Sequence, residues 1–151
     1  MDPLTGLADM SELSVWLEEH AHEEKAVLAL LDLDGTAALN DLHGHESVDE
    51  LLARLAALIQ ARCGAREIAA RAGGEEFALG LLEDELDEVM TEIERIRLHF
   101  RAASDGATLS VGICDAETLR HNPKKLTLFQ AAEDALHEAK RQGPEGLSVY
   151  H

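Results

Sequence analysis

At 151 residues, 46% of them apolar, the chain is long enough to bury one sizeable core and short for two. Lys and Arg number 13 against 30 Asp and Glu, for a formal charge of -17. That balance excludes a surface built to neutralise a nucleic-acid backbone or an anionic membrane, and any phosphate ligand would need divalent metal for much of its compensating charge. The two cysteines, Cys63 and Cys114, have no C-x-x-C spacing and suggest neither a zinc site nor a disulfide framework, which fits reduced thiols in a cytoplasmic protein. No signal-peptide pattern and no bilayer-length apolar run is present, so the expectation is a single domain over residues 1–151.

Pro3 and Gly6 mark an irregular lead-in, and Asp9 or Ser11 can cap a helix predicted from Met10 to His22 on the spacing of Leu13, Trp16 and Leu17. His20 and His22 are two apart, point to different faces and read as solvated surface. From Ala26 to Asp34 a continuous apolar run ends in two acids flanking a leucine, the pattern of a buried central strand. Asp32 and Asp34 share a face of that strand. Buried carboxylates need solvent, a partner or a cation; the alternative is that the pair caps the helix after Gly35.

A short helix from Thr36 to His45, stopped by Gly44, leads into a longer one from Glu46 to Cys63 whose stripe is Val48, Leu51, Leu52, Leu55, Leu58 and Ile59. Asn40, His45 and Asp49 lie off that stripe, where they are free for a ligand. Ile68-Ala69-Ala70 and Phe77 to Leu82 then flank Gly73-Gly74 and read as a β-hairpin, with the glycines supplying positive φ or room for another molecule. Glu75 starts the returning strand at the rim of the sheet. A helix from Glu83 to Ala103, a strand from Ala107 to Cys114, a helix from Leu126 to Gln142 and a last strand over residues 147–150 complete the chain. The fold class is α/β, a mixed central sheet of about five strands containing an antiparallel hairpin and flanked by helices. Strand and hairpin side by side would bring Asp32 and Glu75 together as a divalent-metal site suited to phosphoryl transfer.

Four stretches agree in order and spacing with one family. They are Asp2-Pro3-Leu4-Thr5-Gly6-Leu7; Asp32-Leu33-Asp34 with Asn40-Asp41, Gly44-His45 and Asp49; Arg71 through Phe77; and Ser110-Val111-Gly112 leading to Ala135-Leu136 and Ala139-Lys140. The chain resembles a GGDEF domain, the catalytic domain of diguanylate cyclases, in the spelling Gly73-Gly74-Glu75-Glu76-Phe77. The resemblance implies condensation of two GTP into cyclic di-GMP across a homodimer, with release of pyrophosphate. It implies Mg²⁺ or Mn²⁺ held by Asp32, the Leu33 carbonyl, Glu75 and Glu76, with Glu75 also in the place of the base for the 3′-hydroxyl. It implies guanine readout by Asn40 and Asp49 with His45 nearby, substrate contact at Gly73 and Gly74, and a phosphate contact from Lys140. It implies no nucleic-acid partner and no direct membrane contact, and it allows an upstream sensory or dimerisation segment.

The departures are also specific. Thr36 and Ala37 stand where an aromatic and a lysine are usual, Pro144 where an arginine is usual, Val48 for a glycine, and Ala8-Asp9 for Asn-Arg. Each missing charged contact to a triphosphate removes about 1.5–3 kcal/mol. The R-x-x-D inhibitory motif would fall at Gly64-Ala65-Arg66-Glu67 and is not present there, so no inhibitory site is expected. Three functions remain open: an active cyclase; a degenerate module that binds GTP or a partner protein without turnover; and, less favoured, another nucleotidyl transferase with a palm-like sheet.

Overall fold

The computed structural model describes residues 1–151. Its elements run α1 (Met10–His20), β1 (Val27–Leu33), α2 (Thr36–Arg62), β2 (Ile68–Arg71), β3 (Glu76–Leu81), α3 (Leu86–Ala103), β4 (Leu109–Asp115), α4 (Ala116–Arg120), α5 (Leu128–Arg141) and β5 (Leu147–Val149). The five strands form one sheet in the order β2-β3-β1-β4-β5. β1 is central and antiparallel to both β3 and β4, while β5 joins β4 in parallel. This is the mixed α/β sheet with an antiparallel β2–β3 hairpin that the sequence predicts.

Every residue of β1 is buried because both faces of the sheet are covered. Val27, Ala29, Leu31 and Leu33 pack under α2 and α3 with Leu55, Ile59, Ile93 and Phe100. Leu28 and Leu30 pack on the opposite face with Leu13 and Trp16 of α1 and Ala132 and Leu136 of α5. Alternation along the strand therefore assigns Asp32 to the face beneath α5.

Local chemistry explains most boundaries. Asp9 caps α1 through a reciprocal pair with Glu12, and Thr127 caps α5 in the same way with Gln130, two residues later than the predicted start. α2 is two helical arms that meet at a kink at Gly44, whose φ of 81° and ψ of 168° are not helical; the two predicted helices are these arms. The short α4 was not foreseen, since five residues give too little periodicity to read. His20 is not simple solvated surface: its ring lies 5.2 Å from that of Trp16 and its Nδ1 contacts Glu23. No helix is long and apolar enough to cross a membrane. Cys63 and Cys114 are free thiols, and burial pushes that of Cys114 up to about 12, leaving it inert at neutral pH.

Candidate functional site

The candidate site forms where β1 and β3 emerge at one rim of the sheet under the last turn of α5. Asp32 is 5% exposed. Its Oδ2 ion-pairs with Lys140 Nζ from α5, and its Oδ1 is buried without any hydrogen-bond partner. In the β1–β3 register Asp32 stands opposite Glu76, so both carboxylates share the face beneath α5. Glu75 lies one residue before the strand, half-buried, and its carbonyl accepts the Leu33 N–H at 3.2 Å. The cross-strand carboxylate pair is therefore Asp32 and Glu76, with Glu75 in the adjoining turn rather than at the strand start. The hairpin ladder on the β2 side ends at Arg71–Phe77, which leaves residues 72–75 to make the turn.

Gly73 and Gly74 do not use the positive φ expected of them, since the glycines with positive φ are Gly6, Gly35, Gly44, Gly106 and Gly143. A Cβ on Gly74 would meet nothing within 4 Å, and one on Gly73 would touch only Glu76, at 3.8 Å. Nothing inside the chain demands glycine here. What the pair leaves is bare, exposed backbone open to another molecule.

Arg71 holds this turn in shape. Its Nε donates to the carbonyls of Gly73 and Gly74 at 3.2 and 3.1 Å, and its Nη2 to Gly74 at 2.7 Å. Its Nη1 reaches Asp2 at 3.3 Å, and Asp2 in turn accepts from the Thr5 amide and hydroxyl. The lead-in segment is thereby a brace for the turn. No sequence pattern pairs two residues 69 positions apart, so this role of Asp2 and Arg71 was not legible.

Asp34 has a different role from either reading of the acid pair. It accepts from Thr108 Oγ1 at 2.7 Å, Ser110 Oγ at 2.6 Å and the Glu145 amide at 2.8 Å, clasping β4 and the α5–β5 loop to the end of β1. Neither acid caps α2, whose N-cap is Gly35 at φ 65° with no side-chain bond. Asn40 sits on the first arm of α2 with Oδ1 buried and unpartnered, while His45 and Asp49 are exposed beyond the bend. The ion pair and register gather Asp32, Glu76 and Lys140; no hydrogen bond or ion pair links Asn40, His45 or Asp49 to them. Glu67, at the end of the absent inhibitory motif, spends its two oxygens on the Gly64 and Leu82 amides at 2.9 Å each.

The rim is short of positive charge. Burial pushes Glu76 up to about 7, helped first by Glu133 of α5 and then by Asp32. Burial also raises Asp32 against the pull of Lys140. Lys140 is raised too: burial works to lower it, but contact with Asp32 and the nearby Glu76 and Glu75 prevails. Glu133, two helical turns before Lys140, is a further acid at the site that its ordinary amphipathic setting in the sequence concealed.

The family described as "Diguanylate cyclase, GGDEF domain" matches residues 1–145. The chain belongs to the GGDEF family. Diguanylate cyclase DgcP of Pseudomonas aeruginosa is 34% identical over 98% of this chain, which spans 23% of that protein's length. Diguanylate cyclase DgcM of Escherichia coli K12 is 31% identical over 94% of the chain, which spans 36% of its length. The crystal structure of the GGDEF domain of DgcB from Caulobacter crescentus in complex with c-di-GMP superposes with a TM-score of 0.82 at 26% identity, covering 99% of this chain and 92% of that one. The five-stranded sheet and its flanking helices are the GGDEF fold.

In this GGDEF domain no group of three or more His, Cys, Asp or Glu side chains is arranged to hold a metal ion, in contrast to the set expected from Asp32, Glu75 and Glu76. The Lys140 ammonium is the cation paired with Asp32. The donor chemistry nonetheless fits Mg²⁺ or Mn²⁺: hard carboxylate oxygens meet at one rim, and one of them, Asp32 Oδ1, is buried with nothing to bind.

The raised Glu76 gives a pH-dependent expectation. A folded-state value of about 7 against an ordinary 4.5 means the folded domain binds that proton more tightly. The associated stability is complete below about pH 4.5 and is lost as pH rises through about 7. Glu76 is only part-buried and solvent screens part of that cost, so Glu76→Gln in EDTA should raise stability by about 1–2 kcal/mol at pH 8 and by little at pH 5. Thermal melts at the two pH values check this; equal shifts at both would contradict it.

Proposed function

We propose that this GGDEF domain is a diguanylate cyclase, condensing two GTP into cyclic di-GMP across a two-fold homodimer. The observation that carries the reading is the buried, unpartnered Oδ1 of Asp32 beside Glu75 and Glu76, at the rim that leads into the exposed Gly73-Gly74 turn. A Mg²⁺ or Mn²⁺ ion held by Asp32, Glu75 and the Leu33 carbonyl, with Glu76 alongside, would supply charge to the triphosphate and to the departing pyrophosphate. Glu75, in the open turn, takes the proton from the 3′-hydroxyl. That oxygen bonds to the α-phosphorus of the nucleotide on the partner subunit, and the α–β bridging bond breaks as pyrophosphate leaves. A second reciprocal attack closes the ring, which is why one chain, with one such centre, is half of the enzyme.

Nucleotide binding follows from groups the fold leaves unspent. Asn40 Oδ1 has no partner, and Asn40 with Asp49 can read the guanine edge: a carboxylate accepts from N1–H and N2–H, which adenine lacks. His45 lies beyond the bend near them. α2 begins immediately after Gly35 without a side-chain cap, so its first amides are available to phosphate and offset part of the charge missing at Ala37 and Pro144. Lys140 is the remaining cation for the triphosphate.

The absent cations at Ala37 and Pro144 favour a second reading, a module that binds GTP and signals without turnover. Incubating a leucine-zipper dimer of the domain with GTP and Mg²⁺, followed by chromatography, separates the two. Cyclic di-GMP that disappears in Glu75→Ala is the expected result; bound GTP with no product would establish the binding module instead.

A further inference from the structure

We infer that Lys140 is a tethered cation that closes the Asp32 centre while no nucleotide is bound, and that a triphosphate draws it off, so that divalent metal and nucleotide enter as a coupled pair. The inference rests on the proposed cyclase reading and adds to it an order of assembly.

Three observations converge on this latch. Lys140 Nζ is paired with Asp32 Oδ2, the oxygen neighbouring the unpartnered Oδ1, so metal and ammonium compete for one buried carboxylate. Asp32 is fixed at the end of a central strand with a side chain 7% exposed, whereas the Lys140 side chain is 46% exposed on the last turn of α5. Only the lysine, on four rotatable carbons, can leave. Finally, no other cation relieves it. Arg71 is spent on the turn and on Asp2, Arg97 and Arg101 hold Glu145, and positions 37 and 144 carry no charge. A single ammonium must serve Asp32 in one state and phosphate in the other.

The consequence is thermodynamic. Without nucleotide, a metal at Asp32 meets the Lys140 ammonium on the same carboxylate, and its affinity falls by the cost of weakening that pair. With a triphosphate present the released ammonium gains an anionic partner, and metal affinity recovers. By reciprocity the nucleotide gains the same factor from metal. The latch also keeps the acid-rich rim from binding divalent ions indiscriminately.

Mn²⁺ titration followed by electron paramagnetic resonance tests this directly, with and without a non-hydrolysable GTP analogue. Lys140→Met and Lys140→Gln should bind Mn²⁺ about five- to tenfold tighter than wild type in the absence of nucleotide. The ratio of Kd without to Kd with nucleotide should shrink in both. Arg141→Gln removes the same charge one residue along, from a side chain that is 79% exposed and paired with Glu138, and should change Mn²⁺ affinity less than about twofold. Unchanged or weaker Mn²⁺ binding in folded Lys140 variants would overturn the latch, as would an equal gain in Arg141→Gln. If Asp32→Asn abolishes Mn²⁺ binding while the Lys140 variants do nothing, the latch fails and the metal site stands. If Asp32→Asn has no effect on Mn²⁺ binding, the site reading itself fails and the latch with it.

Discussion

Asp32→Asn should reduce cyclic di-GMP formation by about 10²–10³-fold or more while leaving the melting temperature of the metal-free domain unchanged or raised. The two effects have one cause. Asp32 is 5% exposed, one of its oxygens makes no hydrogen bond, and it faces Glu76 across the strand pair. A buried carboxylate so placed costs stability, which burial registers by lifting its pKa. Its only ion-pair partner, Lys140, is half-exposed and can return to water, so the amide removes a like-charge clash without stranding a buried cation. Product assay and thermal melts on the same preparation measure both halves. A variant that melts well below wild type would show that the carboxylate is structural.

Gly112→Ala should cost about 3 kcal/mol or more of stability, equivalent to roughly 6–12 °C in melting temperature for a domain of this size. Gly112 lies in β4 directly beneath α5. A Cβ there would sit 2.2 Å from the Leu136 amide nitrogen and 2.6 Å from the Ala132 carbonyl. Both are backbone atoms of a hydrogen-bonded helix and cannot turn aside as a side chain would, so α5 must lift off the sheet. Lys140 rides on that helix, and the lift would part it from Asp32. Thermal or urea unfolding checks the cost, and a loss below about 1 kcal/mol would mean that α5 is held less tightly than its contacts indicate.

Much of this architecture was open to reading because periodicity is a local property. The run Ala26 to Leu31 is apolar at every position, the mark of a strand covered on both faces, and it became central β1. The stripes of α2 and α3 and the Gly-Gly hairpin were legible for the same reason. Within the site, Asp32 was legible as an acid ending the buried run and Lys140 only through the family motifs, and the structure brings them into contact. The sequence names Glu75 as the acid beside Asp32, and the structure sets it in the adjoining turn. Strand parity, fixed by where the β3 ladder resumes, selects Glu76 as the facing acid.

What the sequence by itself determined was the order of elements, the acidity of the rim and the family to which the chain belongs, since each is written in neighbouring residues. Only the tertiary structure decided how the carboxylates divide their tasks. Asp34 is hydrogen-bonded by three donors brought from the start of β4 and the α5–β5 loop, whereas Asp32 is left with an empty oxygen and a single ammonium. Arg71 is bound to Asp2 across 69 positions of the chain. Charge and hydrogen bonding act through space over a few ångströms, and which groups lie that close is set by the packing of α5 and the lead-in on the sheet, which no local pattern records.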